Sequence, residues 1–435
     1  MNGMVIRGED KNRWERRAPL IPEDVAEVRR ATGAPVWVEH SEKRFFREEE
    51  YRDAGALPWE DRALGRIVLG IKEVPEDKLL PGRVYLFFSH TIKGQEGNMP
   101  MLRRILDGGS TLIDYERITD AQGRRLVYFG NYAGDAGALD ILWLLGEHWR
   151  HRGAETPFSR CRQAIAYRSV DEAKEDLRQV GREIHRHGLP GGIHPLVIGV
   201  LGYGNVSQGA QQIFECLPVE RVAPEDLAAL VGDGRADPRK VYLAVFQERH
   251  LVRRRDGGPF DLQGYFRGPE EYESRFGDFL PHLTVAVNAV YWEPRCPRFI
   301  TWDSLAALAA GGSAPKLAGI ADITCDVNGS VECTVRVTDI GSPAYRVDPR
   351  TRAVAEGHLG EGIVVLAVDN LPAELPADAS AFFSGQLRPF LPALLDADFD
   401  APLELSGLPP EIQRAVIAYR GSLTPAYEYL ASHLR

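Results

Sequence analysis

The chain has 435 residues, 44% hydrophobic and 26% charged, with a formal net charge of −10 at pH 7. That length suits two or three domains, and the acidity argues against nucleic acid as a main partner. No apolar run reaches the roughly 18 residues of a membrane span, and residues 1–17 lack the apolar centre of a signal peptide. Five scattered cysteines (161, 216, 296, 325, 333) form no C-x-x-C pair, a pattern of reduced thiols in a cytoplasm. Cys325 and Cys333 are close enough in sequence to meet across a turn, but no metal site is expected without nearby histidines.

In chain order, residues 4–7 predict a short strand, followed by the charged run GEDKNRWERR and a helix from 21 to about 30. PVWVE (35–39) alternates as a second strand, and a polar helix follows over 47–54. IVLGI (67–71) predicts a third strand, VYLFF (84–88) a fourth and TLIDY (111–115) a fifth, with a helix over 98–107 between the last two. Strands alternating with helices predict an open parallel sheet, in which ligands collect beyond the carboxyl ends of the strands. Three of those ends run into Lys72, His90 and Glu116. An amine, an imidazole and a carboxylate would then share one rim.

FGNYAGDAG (129–137) reads as a glycine-rich bend, with a helix over 138–149 and another over 170–187. LVIGVLGYGNVSQGAQQIF (196–214) follows: a buried strand, a turn carrying Gly202 and Gly204, then a helix start. Such a turn leaves free N–H groups at a helix N-terminus, where a pyrophosphate can sit. The fingerprint is incomplete, because Ser207 occupies the third glycine position. Residues 219–222 predict the second strand of this unit. Glu220 lies where an acid often binds ribose hydroxyls, and Arg221 beside it suits a 2′-phosphate, so cofactor choice stays open on these residues. Residues 241–245, 283–290, 317–323 and 362–368 predict further buried strands. Asp322 and Asp326 lie at one strand end, and Asp369 and Asn370 at another. Arg253 to Arg255 read as a solvated basic loop, and everything from 376 onward as helical with a break at LPP.

Several stretches together resemble one family, the lysine–ketoglutarate reductase domain, a saccharopine dehydrogenase of the lysine-forming type. They are IKEVP (71–75), FFSHTIKGQEGNMP (87–100), LIDYERITDAQGRR (112–125), FGNYAGDAG (129–137), GYGNVSQGAQQIFECLP (202–218), RHLVRR (249–254), VNAVYWEPRCPR (287–298), GIADITCDVNGSVECT (319–334) and VDNLPAELPADASAFF (368–383). They are collinear over nearly the whole chain.

The resemblance implies the α/β fold of the alanine dehydrogenase group: two Rossmann-like domains, open mostly parallel sheets with helices on both faces, and an active-site cleft between them. Residues 1–137 and 371–435 would form a discontinuous substrate domain, and residues 138–370 the dinucleotide-binding domain. It implies a reaction in which L-lysine and 2-oxoglutarate condense and the imine is reduced to saccharopine. Lys72 and His90 would be the acid–base pair, with Lys11, Arg17, Glu73, Lys93, Glu116 and Tyr132 around the substrates. Gly202, Gly204, Asn205, Val206, Ser207, Glu220, Arg221, Asn288, Asp322, Asp369 and Asn370 would serve the cofactor, NADP(H) favoured and NAD(H) the alternative. Glu73 matches the fungal members, whereas animal members tend to carry a basic residue there. Animal and plant members are usually fused to a saccharopine-oxidising enzyme that this chain lacks, so a stand-alone, cytoplasmic reductase is expected. The alternatives are an NAD-linked biosynthetic enzyme, a related opine or amino-acid dehydrogenase, and a non-catalytic dinucleotide sensor. Partners beyond small molecules, and oligomeric state, are not legible.

Overall fold

A computed structural model describes residues 2–234, 236–310 and 316–434. The chain divides into two compact units, Met1–Gly130 with Pro376–Arg435, and Asn131–Leu375. Its strands in chain order are β1 (Met4–Ile6), β2 (Val36–Val38), β3 (Leu57–Pro58), β4 (Ile67–Leu69), β5 (Val84–Phe87) and β6 (Thr111–Asp114). They continue with β7 (Leu196–Leu201), β8 (Val219–Arg221), β9 (Val241–Phe246), β10 (Val252–Arg254), β11 (Tyr272–Ser274), β12 (Val285–Asn288) and β13 (Gly319–Asp322). The last are β14 (Ala344–Val347), β15 (Val354–Glu356), β16 (Ile363–Leu366), β17 (Val416–Tyr419) and β18 (Ser422–Leu423). Among the described residues, no helix is long and apolar enough to cross a membrane.

The first unit is built on one sheet of order β18-β17-β6-β5-β4-β1-β2-β3. Strands β1 to β6 run parallel, and all but the short edge strand β3 are buried along their whole length. That is why they read as unbroken apolar runs. The chain steps from β1 to β2 and β3 on one side, then returns to β4, β5 and β6 on the other. The carboxyl end of β1 is therefore the topological switch point, where α/β sheets bind ligands. The C-terminal segment completes this unit. Ser380 and Ser384 of its Pro376–Leu387 helix accept the backbone N–H groups of Ala18 and Ile21 at 2.9 and 3.1 Å. Phe383 of the same helix packs on Tyr115 and Phe129. The segment is not helical throughout: β17 pairs antiparallel with β6 and β18 with β17. The apolar run VIAY covers that sheet edge, which the helical reading of the C-terminus missed.

The second unit holds a sheet of order β15-β14-β16-β13-β12-β7-β9-β8, parallel except for β14 and β15. Strand β8 lies at the edge beyond β9. Two sequence expectations fail in this unit. The basic run at 253–255 is not a loop: Arg253 and Arg254 belong to β10, which pairs antiparallel with β11 and sets Arg253 against Glu273 at 2.8 Å. The supposed glycine bend contains the start of a helix, Tyr132–His151. Gly134 allows that helix to lie directly on the Asn205–Phe214 helix: an added methyl would overlap the Val206 carbonyl oxygen and come within 2.7 Å of the Ala210 nitrogen. Glycine in a helix costs about 1 kcal/mol of intrinsic propensity. Here close helix approach offsets that cost.

Candidate active site

The rim of the first sheet is organised by its strand ends. Beyond β6, Asp114 accepts the Ser89 N–H at 3.1 Å and the Ser89 hydroxyl at 2.5 Å, and Ser89 is bonded to Thr91 at 2.7 Å. This buried network pins both sides of His90. The histidine itself adopts a left-handed φ of +48°, and Asn98 Nδ2 donates to its carbonyl at 3.1 Å. A non-glycine residue held there stores strain of the kind found at functional sites. The neighbouring exit, from β4, is tied to it by the Phe88 N–H, which donates to the Ile71 carbonyl at 3.0 Å. Lys72 and His90 thus leave adjacent parallel strands on the same rim.

Glu73, the residue after Lys72, reaches across to His90. Its Oε1 lies 2.6 Å from His90 Nδ1 and its Oε2 lies 3.5 Å from Lys11 Nζ. Burial pushes the Glu73 carboxyl up, but the hydrogen bond from His90, followed by the His90 and Lys11 charges, carries it down to about 2. An ionised Glu73 accepts the proton on Nδ1, so Nε2 is the exchangeable position of the ring. Lys72 is shifted down, first by burial and then by the nearby Arg17 guanidinium. An amine so disfavoured as a cation can act as a base. Arg17 is buried beneath this rim, stacked 4.1 Å over Phe129 and closed on Glu15 by bonds of 2.8 and 2.6 Å.

The low Glu73 value makes a prediction. A carboxyl depressed in the folded state contributes stability that is full above its ordinary value of about 4.5 and is lost as pH falls toward 2. Melting temperatures of wild type and Glu73→Gln should therefore differ at pH 6, with wild type higher, and converge near pH 2.

The other expected substrate residues divide. Lys93 is exposed in the loop after His90, and Glu116 forms an ion pair with Arg125. Tyr132 opens the first helix of the second unit.

In the second unit, Gly202 has a φ of +93° and sits against the Ala289 carbonyl, where a side chain would come within 3.1 Å. Gly204 caps the Asn205–Phe214 helix without any side-chain bond, and nothing lies within 4 Å of where its Cβ would be. The first helical N–H groups, from Asn205, Val206 and Ser207, have no intrahelical acceptor and lie at the positive end of the helix dipole, beside the open space at Gly204. The donor set and the open cradle fit a dinucleotide pyrophosphate. Ser207 is buried and donates to the Gly202 carbonyl at 2.7 Å, so it pins the turn from inside where a third glycine was expected.

Asn288 and Asp322 end the adjacent strands β12 and β13, buried and bonded to each other at 2.8 Å. Thr334 donates to Asp322 at 2.5 Å and Asn288 to Ser330 at 2.8 Å, so both side chains lock the strand ends. Asn288 Oδ1 has no hydrogen-bond partner among the described residues. Asp369 is exposed and Asn370 half-buried beyond β16. Glu220 is exposed on the edge strand and paired with Lys240. Arg221 is paired with Glu215 and receives support from Gln211 at 3.0 Å. On one side of β7 lies β9, and Gln247 directly follows its last residue, Phe246. Arg221, Gln247, Arg249 and His250 line one cavity of about 270 Å³ together with Glu225. Sequence reading missed the last four. The apolar run VYLAVF (241–246), directly before Gln247, was the available signal. All five cysteines are free, and no described cluster of His, Cys, Asp or Glu is arranged to hold a metal.

Comparison with known proteins follows the same lines. Residues 5–136 match the alanine dehydrogenase/PNT N-terminal domain. The chain is 38% identical, over 98% of its length, to alpha-aminoadipic semialdehyde synthase of Bos taurus, and 39% identical, over 99%, to that of Arabidopsis thaliana. It spans about half the length of these curated relatives, 47% and 41% respectively. It is 28% identical to the saccharopine dehydrogenase (NAD(+), L-lysine-forming) of Neurospora crassa, over 90% of this chain and 91% of that one. An L-alanine dehydrogenase structure superposes with a TM-score of 0.62 at 17% identity, over 99% of this chain and 100% of the other, a likeness of fold. Residues 5–136 thus match an alanine dehydrogenase/PNT N-terminal domain, and nearly the whole chain is similar in sequence to the saccharopine dehydrogenases and to part of the aminoadipic semialdehyde synthases, on the fold of an alanine dehydrogenase.

Proposed function

We propose that this chain catalyses the reductive condensation of L-lysine with 2-oxoglutarate to saccharopine, with NADPH favoured over NADH. The observation that carries the reading is the pairing at one sheet rim of a desolvated Lys72 with a His90–Glu73 dyad. Imine formation needs an amine deprotonated, a carbinolamine hydroxyl protonated and water expelled. In its amine form, Lys72 accepts the proton from the incoming ε-ammonium, which frees the nitrogen lone pair to attack the keto carbon. His90, anchored through Nδ1 on Glu73, gives a proton from Nε2 to the departing hydroxyl, which leaves as water. The substrates bring three carboxylates, and the exposed amines of Lys11 and Lys93 are suited to them. When bound at the glycine turn, a reduced nicotinamide supplies the hydride that converts the imine to the secondary amine.

The preference for NADPH rests on the β9 end. Gln247 stands where an acid would repel a 2′-phosphate, and Arg221 and Arg249 line the same cavity. Replacing Arg221 or Arg249 with Ala should raise the KM for NADPH roughly tenfold, as loss of one charge-assisted contact implies, and leave that for NADH within about twofold. Equal or better kcat/KM with NADH in the wild type overturns the preference. The sensor alternative predicts cofactor binding without turnover. A spectrophotometric assay with lysine, 2-oxoglutarate and either cofactor separates the two, and cofactor oxidation should require both substrates together.

A further inference from the structure

We propose that Glu9 is a positioning residue for Lys72, an inference that rests on the catalytic reading of that lysine. The chain leaves β4 at Leu69; the Gly70 N–H still bonds the Leu86 carbonyl of β5 at 2.9 Å, whereas the Ile71 and Lys72 N–H groups find their acceptor in a side chain. Glu9 arrives from β1, the neighbouring strand at the switch point. Its Oε1 accepts the Ile71 N–H at 2.7 Å and its Oε2 accepts the Lys72 N–H at 2.9 Å. The side chain is 2% exposed, so no water substitutes for either bond.

A single carboxylate therefore clamps two consecutive peptide groups and fixes where the Lys72 side chain starts. On its other side, the same Ile71 peptide is held by Phe88, two residues before His90. Glu9 thus sets the spacing between the two strand exits that bear the acid–base pair. Burial pushes its carboxyl up, while Arg7, 3.7 Å away, and the two N–H bonds favour the anion. Glu15, Tyr115, Lys43 and Arg44 are the other titratable groups that feel its charge. None of these contacts puts Glu9 on a substrate. Its action runs through the backbone.

Glu9→Gln is nearly isosteric, but its amide oxygen accepts only one N–H and its NH₂ opposes the other. The expected result is a fall in kcat of about tenfold or more with cofactor Kd within about twofold, since transition-state geometry suffers and cofactor binding does not. In a double-mutant cycle, Glu9→Gln added to Lys72→Met should cost almost nothing further, because the group it positions is gone. Amide exchange measured by mass spectrometry should quicken over residues 70–73. Additive losses in the cycle, or unchanged exchange at those amides, would overturn the proposal. Exchange needs no substrate, so it decides the claim even for an enzyme with a different substrate. If Glu9→Gln fails to fold, Glu9→Asp keeps the charge with a shorter reach and carries the same cycle, with an intermediate fall in kcat expected.

Discussion

Lys72→Met should lower kcat by two orders of magnitude or more while cofactor binding stays nearly intact. General acid–base groups commonly contribute about 10² to 10⁴ in rate, and methionine keeps much of the lysine's length and apolar bulk. Burial disfavours the charged form of Lys72, so an apolar side chain in its place should leave the melting temperature unchanged or slightly higher. His90→Gln should lower kcat similarly and flatten one limb of the pH–rate profile. The two losses should not add fully, since both groups serve the same proton sequence. A small exogenous amine should restore part of the Lys72→Met activity. If Lys72 were only a fold-stabilising cation, the variant would melt lower with kcat within a few-fold of wild type.

The largest effect on stability is expected at Gly134→Ala. The new methyl would press into the Val206 carbonyl of the Asn205–Phe214 helix, and backbone does not yield as a side chain does. Overpacking of this kind costs about 3 kcal/mol, or roughly 6–12 °C in melting temperature for a unit of this size. Because that helix carries the glycine turn, dinucleotide affinity should fall as well. Gly232→Ala, where nothing lies within 4 Å, serves as the control and should be close to neutral. Calorimetry of both variants, with a cofactor titration, checks this; a neutral Gly134→Ala would mean that the two helices are not packed as closely as described.

The parts of the fold legible in the sequence were those that local pattern encodes. IVLGI, VYLFF and LVIGVL announce themselves because strands buried on both faces are apolar throughout. Their ends could be read as a rim because parallel topology forces them to one side. The missed parts depend on distant contacts. Gly134 looked like a breaker because only the opposing helix explains it. Strand β17 was hidden in four residues after a helix, where its apolar run suits either structure. Strand order is encoded in no single segment, so nothing local tells that β9 and not β8 flanks β7, or that Gln247, Arg249 and His250 share a cavity with Arg221. At the rim, Lys72 and His90 stood out through their strand-end positions and the family resemblance. Glu9 did not, because a carboxylate that acts on backbone N–H groups 62 and 63 residues away leaves no local signature.

The central claim is that the ε-nitrogen of lysine becomes bonded to the keto carbon of 2-oxoglutarate. Incubation of the chain with ε-¹⁵N-lysine, 2-oxoglutarate and NADPH, followed by mass spectrometry of the product, tests it most directly. The account predicts one ¹⁵N-labelled secondary amine with the mass of saccharopine, formed in proportion to the cofactor oxidised and absent with Lys72→Met. Cofactor oxidation supported by ammonia and a keto acid, with all the label still in unreacted lysine, would contradict it.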